Sequence, residues 1–280
     1  MHDVFGVLCE VDYFSLGIMI PRSPLVMKRW FQAFPFLVGA VLSVAPASAG
    51  LVIQHQGATN PTTEGFTAFA VSSGTPQWSH GPVTNDLGTG VNAYQVSSND
   101  ANSQVGYFAQ LSASTVSAIQ ANGATFTLIS RVSRAASPAT PPGGTVYGRD
   151  ATFELGNGRR YDIIQGADTQ GNTIIGTASD LLGGWNYYTP GTFVTLPGMT
   201  YHTIQLRIQP SSIAADIYID GVLRISGYTG QTRYSGSAAI YFGADNRGAV
   251  NYNLVRLDSD FRAVVVPEPS TLVSLSVAVA

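Results

Sequence analysis

Through most of this chain apolar side chains recur at every second position, and the runs are cut every eight to twelve residues by Gly, Asn, Asp, Pro or Ser. A period of two sends neighbouring side chains to opposite faces of a strand, so each run can bury one face and leave the other to solvent. Short alternating runs at this spacing, without helical runs between them, predict an all-β chain, a two-sheet antiparallel β-sandwich, rather than βαβ units. The expected strands are Phe66–Val71, Val91–Val96, Val105–Leu111, Thr125–Val132, Thr152–Leu155, Tyr161–Gln165, Thr173–Thr177, Phe193–Leu196, Thr203–Gln209, Ile213–Ile219, Val222–Ser226, Ala238–Phe242, Val250–Leu257 and Phe261–Val265. One short helix is predicted over Ser114–Ala121, opened by Ser112 or Ser114 as cap and closed by Asn122-Gly123. Residues 133–144, with three prolines and two glycines, read as a loop.

The sharpest local signal joins two alternating runs at Asp220-Gly221 within Ala215 to Ile225. Asp-Gly tolerates the positive φ that a two-residue hairpin turn requires, and the twist of that turn matches the flanking strands. A hairpin is expected there.

The single cysteine of the chain, Cys9, lies near the N-terminus. From residue 50 onward no disulfide can form within the chain, and the fold must hold by core burial alone. Residues 50–265 are enough for one sandwich domain with a sizeable core. Over residues 50–280 eleven arginines face fourteen acids, and the only lysine is Lys28. Such a mildly acidic, lysine-free surface is a poor electrostatic match for nucleic acid.

Both ends carry targeting signals. Met27-Lys28-Arg29 opens a cationic segment, Trp30 to Val44 is apolar, and Ala47-Ser48-Ala49 supplies small residues at a cleavage site. These are the three parts of a secretory signal peptide, read as residues 27–49 with cleavage after Ala49; the apolar part is short for a membrane span of about 20 residues. Residues 1–26 add Asp3, Glu10 and Asp12 ahead of a better initiating Met27 and read as an upstream extension from a misplaced start codon. At the other end, Val266-Pro267-Glu268-Pro269-Ser270-Thr271 before the apolar run Leu272 to Ala280 resembles the sorting segment of PEP-CTERM proteins, which Gram-negative bacteria with extracellular polysaccharide secrete. The resemblance implies sorting to the envelope or exterior, an exosortase-type partner, and only transient membrane contact. Nine residues remain after Thr271, too few to cross a hydrocarbon core about 30 Å thick, so residues 266–280 read as a truncated segment.

The order of Tyr201 to Leu206, the hairpin Ala215 to Arg224, Ala239 to Ala244 and Val250 to Leu257 resembles the concanavalin A-like lectin/glucanase (LamG-like) sandwich. The helix-then-strand piece Leu111 to Val132 fits the same family, which implies a jelly roll over residues 60–265. Catalytic members that hydrolyse β-glucans carry an E-x-D-x-x-E set on one strand, and nothing here matches it. Asp150 and Glu154 share a face only if their strand runs unbroken, and Asp220 sits in a turn. Tyr241-Phe242-Gly243 begins like a late strand of the polysaccharide-lyase branch, without the lysine and the Gln-x-His that follow there.

Other chemistries are poorly supplied. His55, His80 and His202 lack a metal-ligand spacing. Gly88-Thr89-Gly90 imitates a dinucleotide fingerprint but neither follows a strand nor opens a helix. No catalytic residue and no cofactor is expected. Calcium is open, since Asp245-Asn246 and Asp168 to Asn172 offer hard oxygen ligands, although such clusters first mark turns. The candidate glycan site is the Gly- and Pro-bounded loop bearing Trp185, Asn186, Tyr187 and Tyr188, because aromatic faces pack on pyranose C–H faces while an amide serves the hydroxyls. Trp78 with His80, and Tyr228 with Tyr234, are weaker versions. The expected role is a non-catalytic surface or matrix protein that binds extracellular polysaccharide; the alternatives are a purely structural matrix component and a divergent glycoside hydrolase or lyase. Mass spectrometry of the secreted form should find Gly50 at the N-terminus, and a mature chain that keeps Ala47-Ser48-Ala49 would overturn the cleavage assignment.

Overall fold

The Asp220-Gly221 turn forms as its chemistry requires, with φ of 51° and 78° at the two residues, so that Ile219 faces Val222 across a tight hairpin. In the computed structural model the described residues are 50–72, 77–99, 103–134, 149–156, 158–178, 193–232, 236–245 and 247–261. In chain order they form β1 (Leu51–Gln56), a 3-10 turn (Pro61–Glu64), β2 (Thr67–Ser72), β3 (Trp78–Asp86), β4 (Val91–Ser98), β5 (Ser103–Gln110), α1 (Ala113–Asn122), β6 (Ala124–Arg134), β7 (Arg149–Glu154) and β8 (Arg160–Ala167). These are followed by β9 (Thr173–Thr177), β10 (Phe193–Leu196), β11 (His202–Ile208), β12 (Ala215–Ile219), β13 (Val222–Tyr228), β14 (Ala239–Asp245) and β15 (Ala249–Asp258). The signal peptide and the residues of the sorting segment lie outside the described set.

The strands make two antiparallel sheets, as the alternation predicts. One has the order β13-β12-β11-β6-β15-β4-β3, with β1 pairing the second half of β15 beside β4; the other has the order β10-β9-β8-β7-β14-β5-β2. We call these sheet A and sheet B. Their facing surfaces supply the core: Phe126, Leu128, Ile204, Leu206 and Tyr252 from sheet A meet Tyr107, Phe153, Ile163 and Phe242 from sheet B, all within 1% of full burial. Each such side chain contributes about 1.5–3 kcal/mol by leaving water, which is what a sandwich without disulfides must rely on. The helix α1 adds Ile119 to this core. Its start is capped by Ser112, whose Oγ accepts from the Thr115 amide at 3.1 Å, and its end closes at Gly123, φ 78°. A Cβ at Gly123 would lie 2.3 Å from the Ile208 carbonyl oxygen.

Two strands exceed the sequence expectation. β1 begins at Leu51, and β3 contains Gly81 and Pro82; β3 is an edge strand, the place where a residue without an amide hydrogen is tolerated. Phe261 lies in a turn, and the rest of the expected strand Phe261–Val265 lies outside the described residues. Among the described residues no helix is long and apolar enough to cross a membrane.

At the end of β3 the register with β4 shifts, and Asn85 and Leu87 take positive φ. That turn lays Asp86 over the outer face of sheet A, where Arg131 donates two bonds of 2.5 Å, Asn251 one of 2.6 Å and Tyr201 one of 2.7 Å. Burial alone would raise the Asp86 carboxyl; bonds from Arg131, Asn251 and Tyr201 outweigh it and lower the pKa from 3.8 to about 2. A folded-state pKa below the unfolded one stabilises at neutral pH, and the gain is lost as pH falls from about 4 towards about 2. Asp86→Asn should cost about 3 kcal/mol at neutral pH. Parent and variant should draw about 2 kcal/mol closer between pH 4 and pH 2 in denaturant titrations; a gap that does not change with pH would refute the network.

Candidate functional site

Strand β14 buries Ile240, Phe242 and Ala244 in the core and turns Tyr241, Gly243 and Asp245 to the outer face of sheet B. The register extends those three positions into rows. Tyr241 stands between Phe108 and Thr152, Gly243 faces Gly106 and then Phe69, and Asp245 faces Gln104 and then Val71. The middle row is bare because the backbones approach too closely for side chains: a Cβ at Gly106 would lie 2.2 Å from the Phe242 carbonyl oxygen, and one at Gly243 would lie 2.0 Å from that of Val105. Glycine is required at both positions, which are buried, and the middle row carries no side chain. The same contact explains why no lysine stands at Gly243, where the lyase comparison would need one.

Beside this row lies a groove of about 240 Å³, lined by Phe69, Val71, Gln104, Thr152, Glu154, Arg160, Tyr241 and Asp245 among others. Two of its lining rings pack with a third beside the groove: Tyr241 stacks on Phe108 at 5.8 Å, and Phe69 meets Tyr241 edge-on at 6.1 Å and Phe108 at 6.3 Å. All three rings are half-buried.

The opposite end is ionic. Glu154 faces Arg160 across β7 and β8, with Nη1 to Oε1 at 3.5 Å, and its Oε2 accepts from the Gly236 amide at 3.2 Å. Arg160 is shared, its Nε donating to Asp162 Oδ1 at 2.8 Å. Asp162 also accepts from Thr152 Oγ1 at 2.7 Å and from Gln231 Nε2, which covers it, and it is 1% exposed. Burial pushes the Glu154 carboxyl up, Arg160 pulling against it and Asp162 adding to it. Burial likewise raises the Tyr241 hydroxyl, with Glu154 contributing. At this wall the carboxyl groups of Glu154 and Asp162 share the one guanidinium of Arg160.

The sequence candidates fall in several places. Trp185, Asn186, Tyr187 and Tyr188 lie outside the described residues, as do Tyr234 and Asn246. Glu154 is Arg-paired on the groove wall. Asp150 sits at a bulge, since Arg149 pairs Ile164 while Ala151 pairs Ile163, so the unbroken strand that would align it with Glu154 does not exist. Trp78 stacks on His80 at 4.3 Å, and His80 Nδ1 lies 2.7 Å from Tyr94 Oη and 3.0 Å from Tyr107 Oη, a plug at the sandwich edge. Tyr228 is buried, donating to the Ala178 carbonyl at 2.7 Å. His202 Nδ1 lies 2.8 Å from Asp220 Oδ2. His55 is fully buried beside Glu64 at 2.6 Å; burial lowers its pKa against the pull of that carboxylate. Gly88 to Gly90 belong to the β3–β4 hairpin loop.

Asp168 Oδ1 accepts from the amides of Gln170 and Asn172, and Oδ2 accepts from Asn172 Nδ2, which makes a self-contained turn. Among the described residues no three His, Cys, Asp or Glu side chains gather as a metal site would need. Sequence reasoning singled out Tyr241 and Glu154 but not Phe69, Phe108 or Gln104; large rings facing outward from expected strands were the available signal.

No protein-family model matches this chain, and no curated protein does. Among solved structures it is similar to a carbohydrate esterase of the Shiga toxin-encoding bacteriophage phi24B, with 14% identity and a TM-score of 0.53 over 75% of this chain and 100% of that one. Domain 4 of the GH43 extracellular arabinanase AbnA of Geobacillus stearothermophilus, solved with arabinotriose, has 12% identity and a TM-score of 0.40 over 75% and 92% of the two chains. The binding domain of botulinum neurotoxin DC, solved with rat synaptotagmin II, has 11% identity and a TM-score of 0.41 over 76% of this chain and 49% of that one. At 14% identity the likeness to the phage esterase is one of fold, a two-sheet β-sandwich.

Proposed function

We propose that this chain is an exported, non-catalytic carbohydrate-binding sandwich whose ligand lies in the groove on the outer face of sheet B. The observation that carries the reading is the groove itself, where the half-buried rings of Phe69 and Tyr241 stand with Gln104, Thr152 and Asp245. The rings offer faces to the C–H groups of a pyranose, and the amide, hydroxyl and carboxylate serve its hydroxyls. Export and sorting rest on the signal peptide of residues 27–49 and the segment Pro267 to Thr271. They fit a cysteine-free chain that folds by burial alone.

Binding without turnover is supported by the spacing of the acids. Glycoside hydrolysis needs two available carboxyl groups about 5–10 Å apart. Asp162 is close enough to Glu154 but sealed beneath Gln231 and occupied by Thr152 and Arg160. Asp245 lies six residues along β14 from Ala239, the register partner of Glu154, which is roughly 20 Å of strand. Affinity electrophoresis against a polysaccharide panel should show retention that Tyr241→Ala weakens by about 1 kcal/mol, roughly fivefold. Trp185→Ala separates the groove from the aromatic loop, and loss of retention in that variant alone would move the site there. Reducing-sugar and unsaturated-uronate assays should stay flat; turnover abolished by Glu154→Gln would overturn the non-catalytic reading.

A further inference from the structure

We infer that His80, Tyr94 and Tyr107 form a binding site for a hard trivalent cation, ferric iron, at the edge of the sandwich where β3, β4 and β5 meet.

Three donor atoms from three strands converge there. His80 Nδ1 lies 2.7 Å from Tyr94 Oη and 3.0 Å from Tyr107 Oη, and the two hydroxyl oxygens are 3.2 Å apart. Hydrogen bonding does not account for all three edges of this triangle. An imidazole Nδ1 carries either one lone pair or one proton, and each phenol has one proton to donate. If Nδ1 accepts from one hydroxyl, the other hydroxyl donates to its fellow oxygen and the third edge has no proton of its own. If Nδ1 is protonated, one phenol proton finds no acceptor within the triangle. With both phenols ionised and Nδ1 bare, each atom turns a lone pair to the shared centre.

The edges have the dimensions of a coordination face. Ligands held at about 2.0–2.1 Å on neighbouring corners of an octahedron lie about 2.8–3.0 Å apart, the bond length times the square root of two. Packing holds the donors at that spacing. Tyr94 on β4 belongs to sheet A and Tyr107 on β5 to sheet B, and both rings are buried. Tyr107 stacks on Phe242 at 5.6 Å and meets Tyr94 edge-on at 5.8 Å. His80 is exposed, with Trp78 stacked on it at 4.3 Å, so an ion approaches from the imidazole side and water fills its remaining positions.

Donor type selects the ion. Two phenolate oxygens and an imidazole, with no thiolate or thioether, suit a small, highly charged cation rather than a soft one. On binding, the two phenol protons pass to solvent, and two of the three positive charges are met by the phenolates. The ion would also tie sheet A to sheet B in a chain that has no disulfide from residue 50 onward.

The test is titration of the full chain with ferric citrate at neutral pH, followed by visible absorbance and by thermal melting. A phenolate-to-iron charge-transfer band should grow to one equivalent, and the melting temperature should rise with iron concentration, as binding to the folded state requires. Tyr94→Phe and Tyr107→Phe keep the packed rings, and each should weaken iron binding by more than the roughly tenfold that an outer-shell partner is worth. His80→Gln, at an exposed position, should do the same and serves where a tyrosine variant fails to fold. Absence of the band, or a band that survives all three substitutions, overturns the site. Zinc chloride raising the melting temperature as far as iron does, through the same residues, overturns the assignment to a trivalent cation.

Discussion

Two sheets with no cysteine between them are held by their facing side chains, and that requirement organises everything else. Each strand must deliver alternate residues inward, so Tyr107, Phe153, Phe242, Phe126 and Tyr252 are fixed by packing and have no freedom to serve a ligand. What remains for function is the outward half of each strand. On β14 the division is complete: Phe242 belongs to the core, while its neighbour Tyr241 belongs to the groove. A one-residue slip of register would exchange them, so the packing that stabilises the sandwich also aims the site.

The two outer faces use that freedom differently. Over sheet A the β3–β4 turn sets a carboxylate on Arg131, Asn251 and Tyr201, so that the charge brought under cover is met by three donating side chains. The face is closed. Over sheet B the close approach of Gly106 and Gly243 removes side chains from the middle of the face, and a groove lined by Phe69, Tyr241, Glu154 and Asp245 lies on it. Backbone strands can approach this closely only where both partners lack a Cβ, so the feature that leaves the row bare is local, although the groove draws on five strands.

That difference explains what was legible in the sequence. The Asp220-Gly221 turn, the Ser112 cap and the alternation of β4, β5, β6, β11 and β15 are local signals, and the structure repeats them within a residue or two. β1 and β3 were not legible: Leu51 to Gln56 is a short alternation, and Gly81-Pro82 reads as a break unless the strand is known to lie at an edge. The groove was still less legible. Phe69, Gln104, Glu154, Arg160 and Tyr241 are brought together by register across β2, β5, β14, β7 and β8, and pairing is a property that no window of sequence contains. The segment around Trp185 is legible because its rings are adjacent in the chain, and it lies outside the described residues.

Stability alone does not account for the acids at the groove. A buried ion pair seldom outperforms an apolar replacement of similar size, because desolvation consumes most of the Coulombic gain. At Asp86 the carboxylate is held below its usual range, so its burial is compensated. At Glu154 the shift runs the other way: the carboxyl is raised, Arg160 is divided with Asp162, and the remaining contact is one backbone amide at 3.2 Å. A Leu or Met at that position would suit the sandwich at least as well. An under-compensated acid beside half-buried rings is a costly arrangement for a closed surface and a sensible one for a surface that is completed by a ligand.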